Sequence, residues 1–358
     1  MNPHLGEAYH RLDQDARDYT DAGRALGTLR ARRRRRAVVA GVLAIALGVG
    51  VQQWLSPRGD GTATVASAPP SVPAIQPPAD APPLPVTGPV GRGALVYTAC
   101  QSACPTFLVL TDGTQRLLGQ RTVYPPGNIT LSPDGRWLGR PVDGGYEVRD
   151  LLGSAVHHLE PPVGGGADSA YSPWAWSADS RRLIAGYHAS GNVSSYVVLD
   201  LSNGVHTPLS VPEGQEPVGL LPSGAPILLT SSPSPRNRLT LQHDGKTVVL
   251  TSDEGVFSDT DHGVSIQVYG ESLFVLEYSA DRIAVLTFNA DGKRQNRVAL
   301  SADEFPVGPV AGGFAIIRLP NDQARGRQQL ESVSPTGRIP LFDLPGQAAI
   351  VLPGGTRH

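Results

Sequence analysis

A ten-residue pattern returns along the chain with a period near 45, and this constrains the fold more than any other feature. LSPDGRWLGR (131–140) and WSADSRRLIA (176–185) match closely. Weaker copies stand at LLPSGAPILL (220–229), VYGESLFVLE (268–277) and VAGGFAIIRL (310–319), with a half-copy, VLPGGTRH, at 351–358. Their first residues are 45, 44, 48, 42 and 41 apart. A second marker is a turn between two strand-like runs, with glycines at 113, 153, 204, 245, 292 and 337. Asp-Gly and Asn-Gly suit tight turns because they tolerate positive φ. The flanking runs are rich in Val, Leu, Ile and Tyr, as strands prefer. Each period therefore reads as four short strands, which is the signature of a propeller blade. One such sheet cannot cover both of its faces, so the sheets must pack in a ring.

The register of the repeat predicts how the ring closes. The first unit begins at a second strand (Ala94–Thr98), followed by Thr106–Thr111 and Gln115–Leu118, and lacks an innermost strand. Ala348–Leu352 is a strand without a blade of its own. Placing it innermost in the first blade leaves six complete blades and no orphan edge. The expected fold class is thus all-β, a six-bladed propeller over 93–358, with seven blades as the alternative.

SPDGRW (132–137) and WSADSRRLIA (176–185) resemble the repeats of TolB-like, WD40-like six-bladed propellers. The resemblance spans about 260 residues and rests on two clear copies. It implies the fold and an extracytoplasmic, protein-binding scaffold. It does not carry over TolB's own role, because no separate α/β domain precedes the repeats. The layout also resembles actinobacterial membrane proteins with a short basic tail, one span and a propeller.

That layout rests on the N-terminal quarter. Residues 1–36 hold nine arginines and five acids, with a block at Arg32, Arg33, Arg34, Arg35 and Arg36. An uncharged run, AVVAGVLAIALGVGV (37–51), follows directly, and QQWL extends it to Leu55. Nineteen helical residues span about 28 Å, close to a bilayer's hydrocarbon core of ~30 Å. Trp54 suits the far interface, and the arginine block acts as a topology signal that stays cytoplasmic. The expectation is a single transmembrane helix at 37–55, in contact with the lipid bilayer, with the C-terminal domain outside the cell. A cleaved signal peptide fits less well, because the best small-residue site, Ala66-Ser67-Ala68, is followed by Pro69. A buried soluble helix would begin awkwardly with five arginines.

Between span and repeats, residues 56–92 contain ten prolines and few large apolar side chains. Such a segment reads as a disordered, extended tether. The tail, 1–36, has a weak heptad of Leu5, Leu12, Tyr19 and Leu26, which suits a partly formed helix with a cytosolic partner. Over the whole chain, 30 Lys and Arg stand against 32 Asp and Glu, which argues against nucleic acid as a partner.

Candidate chemistry is sparse. Cys100 and Cys104 are the only cysteines and fall between the first two strands. Their spacing allows a disulfide, as the compartment would, and two free thiols are the alternative. A zinc site would need further ligands, and no paired His stands near. His157 and His158, neighbours on a strand, point to opposite faces and would not share one ion. Asp253, Glu254, Asp259 and Asp261 lack a regular calcium-loop pattern. Tyr171, Trp174 and Trp176 are the candidate rim contact, because alternate residues share a face and both Trp should lie on one. Neither a G-x-S-x-G elbow nor a phosphate loop occurs, and no cofactor is implied. The expected function is a non-catalytic propeller that binds a protein or cell-envelope ligand outside the cell. The alternatives are a sensor signalling through its tail and an extracytoplasmic lyase or lactonase.

Overall fold

The structure is a computed structural model. It describes residues 73–98, 104–122, 128–162, 169–189, 192–230, 236–259, 263–280, 282–319, 327–346 and 348–355. The predicted tail, Arg32–Arg36, the 37–55 span and Cys100 lie outside them. Among the described residues, no helix is long and apolar enough to cross a membrane.

Six four-stranded antiparallel sheets make up the domain. Blade 1 holds β1 (Gly93–Thr98), β2 (Cys104–Leu110) and β3 (Gln115–Thr122). Blade 2 runs β4 (Thr130–Leu131), β5 (Trp137–Val142), β6 (Gly145–Asp150) and β7 (Val156–Leu159). Blade 3 is β8 (Ala170–Trp176), β9 (Arg182–Ala189), β10 (Asn192–Asp200) and β11 (His206–Leu209). Blade 4 is β12 (Gln215–Leu220), β13 (Pro226–Thr230), β14 (Arg238–His243) and β15 (Lys246–Thr251). A small hairpin not foreseen from the sequence, β16 (Ser258–Asp259) with β17 (Gly263–Val264), precedes blade 5. Blade 5 comprises β18 (Ile266–Tyr269), β19 (Ser272–Ser279), β20 (Arg282–Asn289) and β21 (Arg294–Ala299). Blade 6 comprises β22 (Glu304–Val310), β23 (Gly313–Arg318), β24 (Arg327–Ser334) and β25 (Gly337–Pro345).

The last strand, β26 (Ala349–Val351), returns to blade 1 and pairs with β1 through Val96↔Val351, Tyr97↔Ile350 and Thr98↔Ala349. Blade 1 is therefore sewn from both ends of the domain, as the register predicts. The two sequence markers have distinct structural meanings. The ten-residue pattern marks the turn from innermost to second strand in blades 2 to 6, its half-copy follows the innermost strand of blade 1, and the glycine marker is the turn from third to outermost strand in all six.

The core lies between blades rather than within one. Six apolar clusters occupy the six seams. Trp137, Tyr146 and Val148 of blade 2 meet Tyr171, Trp176 and Leu183 of blade 3. Tyr97 and Phe107 of blade 1 meet Ala315, Leu330 and Leu344 of blade 6, with Ala348 and Leu352 sealing the closure.

Residues 73–92 differ from the expected tether. They form a strap that pairs in parallel with outermost strands at Ala74↔Asp343 of β25 and Pro83↔Leu117 of β3. Ile75 and Leu84 are 5% and 8% exposed and join the seam clusters on either side of blade 1. Proline-rich composition reads as a tether because it predicts few burial sites. Two well-placed aliphatic anchors and seven backbone hydrogen bonds to the ring reverse that reading from Pro73 onward.

One turn shows how tightly the strands are set. Gly135 (φ +69°) follows the innermost strand of blade 2, and a Cβ there would lie 2.2 Å from the Gly93 carbonyl oxygen. Gly135→Ala is expected to cost about 2–4 kcal/mol, read as a fall in thermal midpoint. Gly113→Ala also stands at positive φ but in open space, and should cost only about 1–2 kcal/mol.

Candidate functional site

The two ends of the ring differ in how their polar groups are spent. At the end where innermost strands turn into second strands, the matched motifs build the same network twice. Ser132 Oγ donates to Asp134 Oδ1 at 2.7 Å and accepts from Trp137 N at 2.9 Å, while Asp134 Oδ1 accepts from Arg136 N at 3.0 Å. In blade 3, Ser177 Oγ donates to Asp179 Oδ1 at 2.7 Å, and Arg181 N donates to the same oxygen at 3.1 Å. Ser180, at φ +59° where blade 2 has Gly135, accepts from Asp134 N at 3.0 Å and ties the two blades together.

Burial would raise the Asp134 carboxyl. Hydrogen bonds from Ser132, Arg136 N, Ser180 and Arg92 outweigh it and hold the carboxyl below its ordinary value. Asp134 also raises the already buried Tyr269 hydroxyl of blade 5. A Cβ added at Gly354 would sit 3.2 Å from the Tyr269 ring and 3.5 Å from Pro133, so turns of blades 1, 2 and 5 converge here. The aspartates of the repeat are thus turn builders, and turns of three blades meet at this end.

The opposite end, where innermost strands begin, keeps unspent polar capacity. Gln215 Oε1 and Thr230 Oγ1 belong to cross-strand partners of blade 4, and both atoms are buried without a hydrogen-bond partner among the described residues. Glu216 is half-buried, has no ion-pair partner among the described residues, and burial raises its carboxyl. Tyr196 of blade 3 is pushed up to about 12 by burial, with Glu216 adding to the effect. Its ring meets Trp174 edge-on at 5.2 Å, and Trp174 Nε1 donates to Pro217 O. Ser172 and His188 of blade 3 lie 2.6 Å apart at the same end. Blade 6 contributes Glu304 and Glu331 interleaved with Arg318 and Arg338, all four in mutual contact. The half-buried Glu216 carboxylate, with no cation beside it among the described residues, is the group that an incoming cationic or hydrogen-bonding group would meet.

Among the residues singled out from sequence, Cys104 opens β2 and is disulfide-bonded, while Cys100 lies outside the described residues. Tyr171, Trp174 and Trp176 are 7%, 8% and 3% exposed. The expectation that both Trp share a face is corrected by a β-bulge between Pro173 and Ala175. The extra residue turns Trp174 to the blade 4 seam, while Trp176 stays with Tyr171 in the blade 2 seam. Trp176 Nε1 donates to Thr130 Oγ1 at 2.8 Å, so these rings serve blade packing.

His157 stacks on Trp137 at 5.4 Å and bonds the Leu201 carbonyl, whereas His158 is exposed. Asp253 and Glu254 pair with Arg294 and Arg297. No group of three His, Cys, Asp or Glu among the described residues could hold a metal ion. Gln215, Glu216, Tyr196 and Thr230 were not singled out from sequence. The one cue was Gln-Glu at the start of an otherwise apolar innermost strand.

Fold and closure define a six-bladed β-propeller. No family model and no curated protein matches the sequence. Solved structures similar to it include TolB from Acinetobacter baumannii, at 16% identity and TM-score 0.46, with 72% of this chain and 66% of that one covered. A putative TolB from Agrobacterium tumefaciens is 15% identical over 72% and 91% of the two chains, with TM-score 0.43. A putative 6-phosphogluconolactonase from Bacteroides fragilis is 12% identical over 74% and 97%, with TM-score 0.34. Similarity of this order says nothing about activity.

Proposed function

We propose that the chain is a single-pass membrane protein that displays a non-catalytic propeller outside the cell, where the polar end of the ring binds a protein or an envelope polymer. The contrast between the two ends carries the reading. The repeat aspartates at one end are spent in turns, while at the other the half-buried Glu216 carboxylate has no ion-pair partner among the described residues. The uncharged 37–55 run after Arg32–Arg36 supports the anchor and its orientation.

Fractionation of cells carrying a C-terminally tagged chain tests the anchor. The tag should remain in carbonate-washed membranes and be accessible to protease from outside; recovery in the soluble cytosol overturns the anchor. Proximity labelling from the C-terminus tests the binding end. Glu216→Lys should deplete the principal labelled partner at least fivefold, and an unchanged labelling profile removes this end as the site. A sensor role is supported by the strap, since residues 73–92, which follow the 37–55 run in sequence, pair with blades 6 and 1. Recovery of no cytosolic protein by residues 1–36 removes it.

A further inference from the structure

We infer that the outer edges of blades 6 and 1, with Arg149, form a binding track for an extended proline-rich polypeptide, and that residues 73–90 are its built-in occupant. The inference stands on the strap's own contacts and holds whether or not the chain crosses a membrane.

The strap touches the ring as a docked peptide would. It adds to β25 through Ile75 N to Asp343 O at 2.8 Å and Asp343 N to Pro73 O at 3.0 Å. It adds to β3 through Leu84 N to Leu117 O at 2.9 Å and Leu117 N to Pro82 O at 3.0 Å. Main-chain bonds to a sheet edge with one side chain per pocket are the grammar of strand addition. Here the pockets take Ile75 and Leu84, nine residues apart, each in a seam beside blade 1. Between and after them the segment is rich in Pro and Ala, with a turn at 79–80 and a bend over 86–88, and so has no continuous edge of its own to pair.

Arg149 gives the track its polar selectivity. It is 1% exposed, yet its guanidinium donates to the carbonyls of Pro85 and Gly88, both in the strap, and forms no ion pair with a described carboxylate. A buried cation satisfied only by main-chain carbonyls reads backbone rather than side-chain identity. Proline-rich chains expose such carbonyls because their prolines donate no N–H. On release of the strap, Arg149 regains water and both sheet edges come free, so opening is a local event rather than unfolding. Gly88 and Gly91, at φ +86° and +116°, supply the swivel next to β1.

The test uses the full chain and a labelled synthetic peptide of residues 73–90. Cis occupancy should mask the track in the unaltered protein, because a tethered ligand acts at high effective concentration. The double substitution Ile75→Asp, Leu84→Asp should release the cis strap and raise saturable binding of the peptide at least tenfold. Adding Arg149→Met should lower that binding at least fivefold. A folded double variant that binds no more peptide than the unaltered protein overturns the inference. If the double variant does not fold, hydrogen exchange on the unaltered chain decides. Amides of Ile75, Leu84 and Val90 should exchange at least tenfold faster than blade amides, and exchange only with global unfolding overturns a releasable strap. An unchanged labelling profile for Glu216→Lys, with peptide binding to the track as expected, would fault the proposed function alone.

Discussion

A chain truncated after Pro345 is expected to yield no stable monomeric ring. The cut removes β26 and with it three residue pairs to β1, the buried Ala348 and Leu352 of the closing seam, and the bond from Gly354 N to Leu131 O. Thr130 also loses its acceptor at Gly355 O. Loss of Leu352 alone removes about 2–4 kcal/mol, as Leu352→Ala should show in a denaturant titration. With the bared ladder of Val96–Thr98 added, the loss approaches the whole stability of a typical domain, about 5–15 kcal/mol. The freed edge then pairs with other molecules. Size-exclusion chromatography should find aggregates or dimers, and thermal melting should lose its cooperative step. A truncated chain that remains a monomer with an unchanged midpoint refutes the closure.

Acid should weaken blade 6 through one carboxylate. Glu304 has a side chain 1% exposed, and burial alone would raise its pKa. Donation by Arg338, Ser301 N and Arg318 reverses this and lowers it from 4.5 to about 2. Because the folded value lies below the unfolded one, the stabilisation is fully present above about pH 4.5. It fades as pH falls through about 2, and its full size is up to about 3 kcal/mol. Glu304→Gln should therefore lower stability at pH 7 by roughly 2–3 kcal/mol, the two arginines being partly hydrated when left without it. The same variant should show a flatter loss between pH 4.5 and 2 than the unaltered chain. Equal pH slopes for the two proteins would show that Glu304 does not govern the acid limb.

The fold was legible because each blade repeats two turns whose chemistry is local. A Ser-x-Asp-Gly turn or an Asn-Gly pair declares itself within five residues, and blade count follows from counting them. The orphan strand at 348–352 was equally readable, since an unpaired strand at each end of the repeat demands the other. The bulge at Trp174 was not, because one extra residue inverts which ring faces which seam without altering composition. Ile75 and Leu84 were hidden for a different reason. Their pockets are made by strands far along the chain, and proline-rich surroundings suggest a segment with nowhere to dock. The polar end was opaque as well. That Gln215 and Thr230 lack hydrogen-bond partners and Glu216 an ion pair among the described residues is a property of the blades beside them, and no spacing within blade 4 announces it.

The composite first blade also sets an order of manufacture. β1 leaves the ribosome roughly 250 residues before β26 does. At about 5–20 residues per second it waits some 12–50 s with its inner edge bare. The strap emerges earlier still and can lie along β3 at once, covering one side of a sheet that is still missing its last member. Nascent chains stalled before residue 346 should therefore be the ones that recruit chaperones, and release of the final ten or so residues the event that dismisses them.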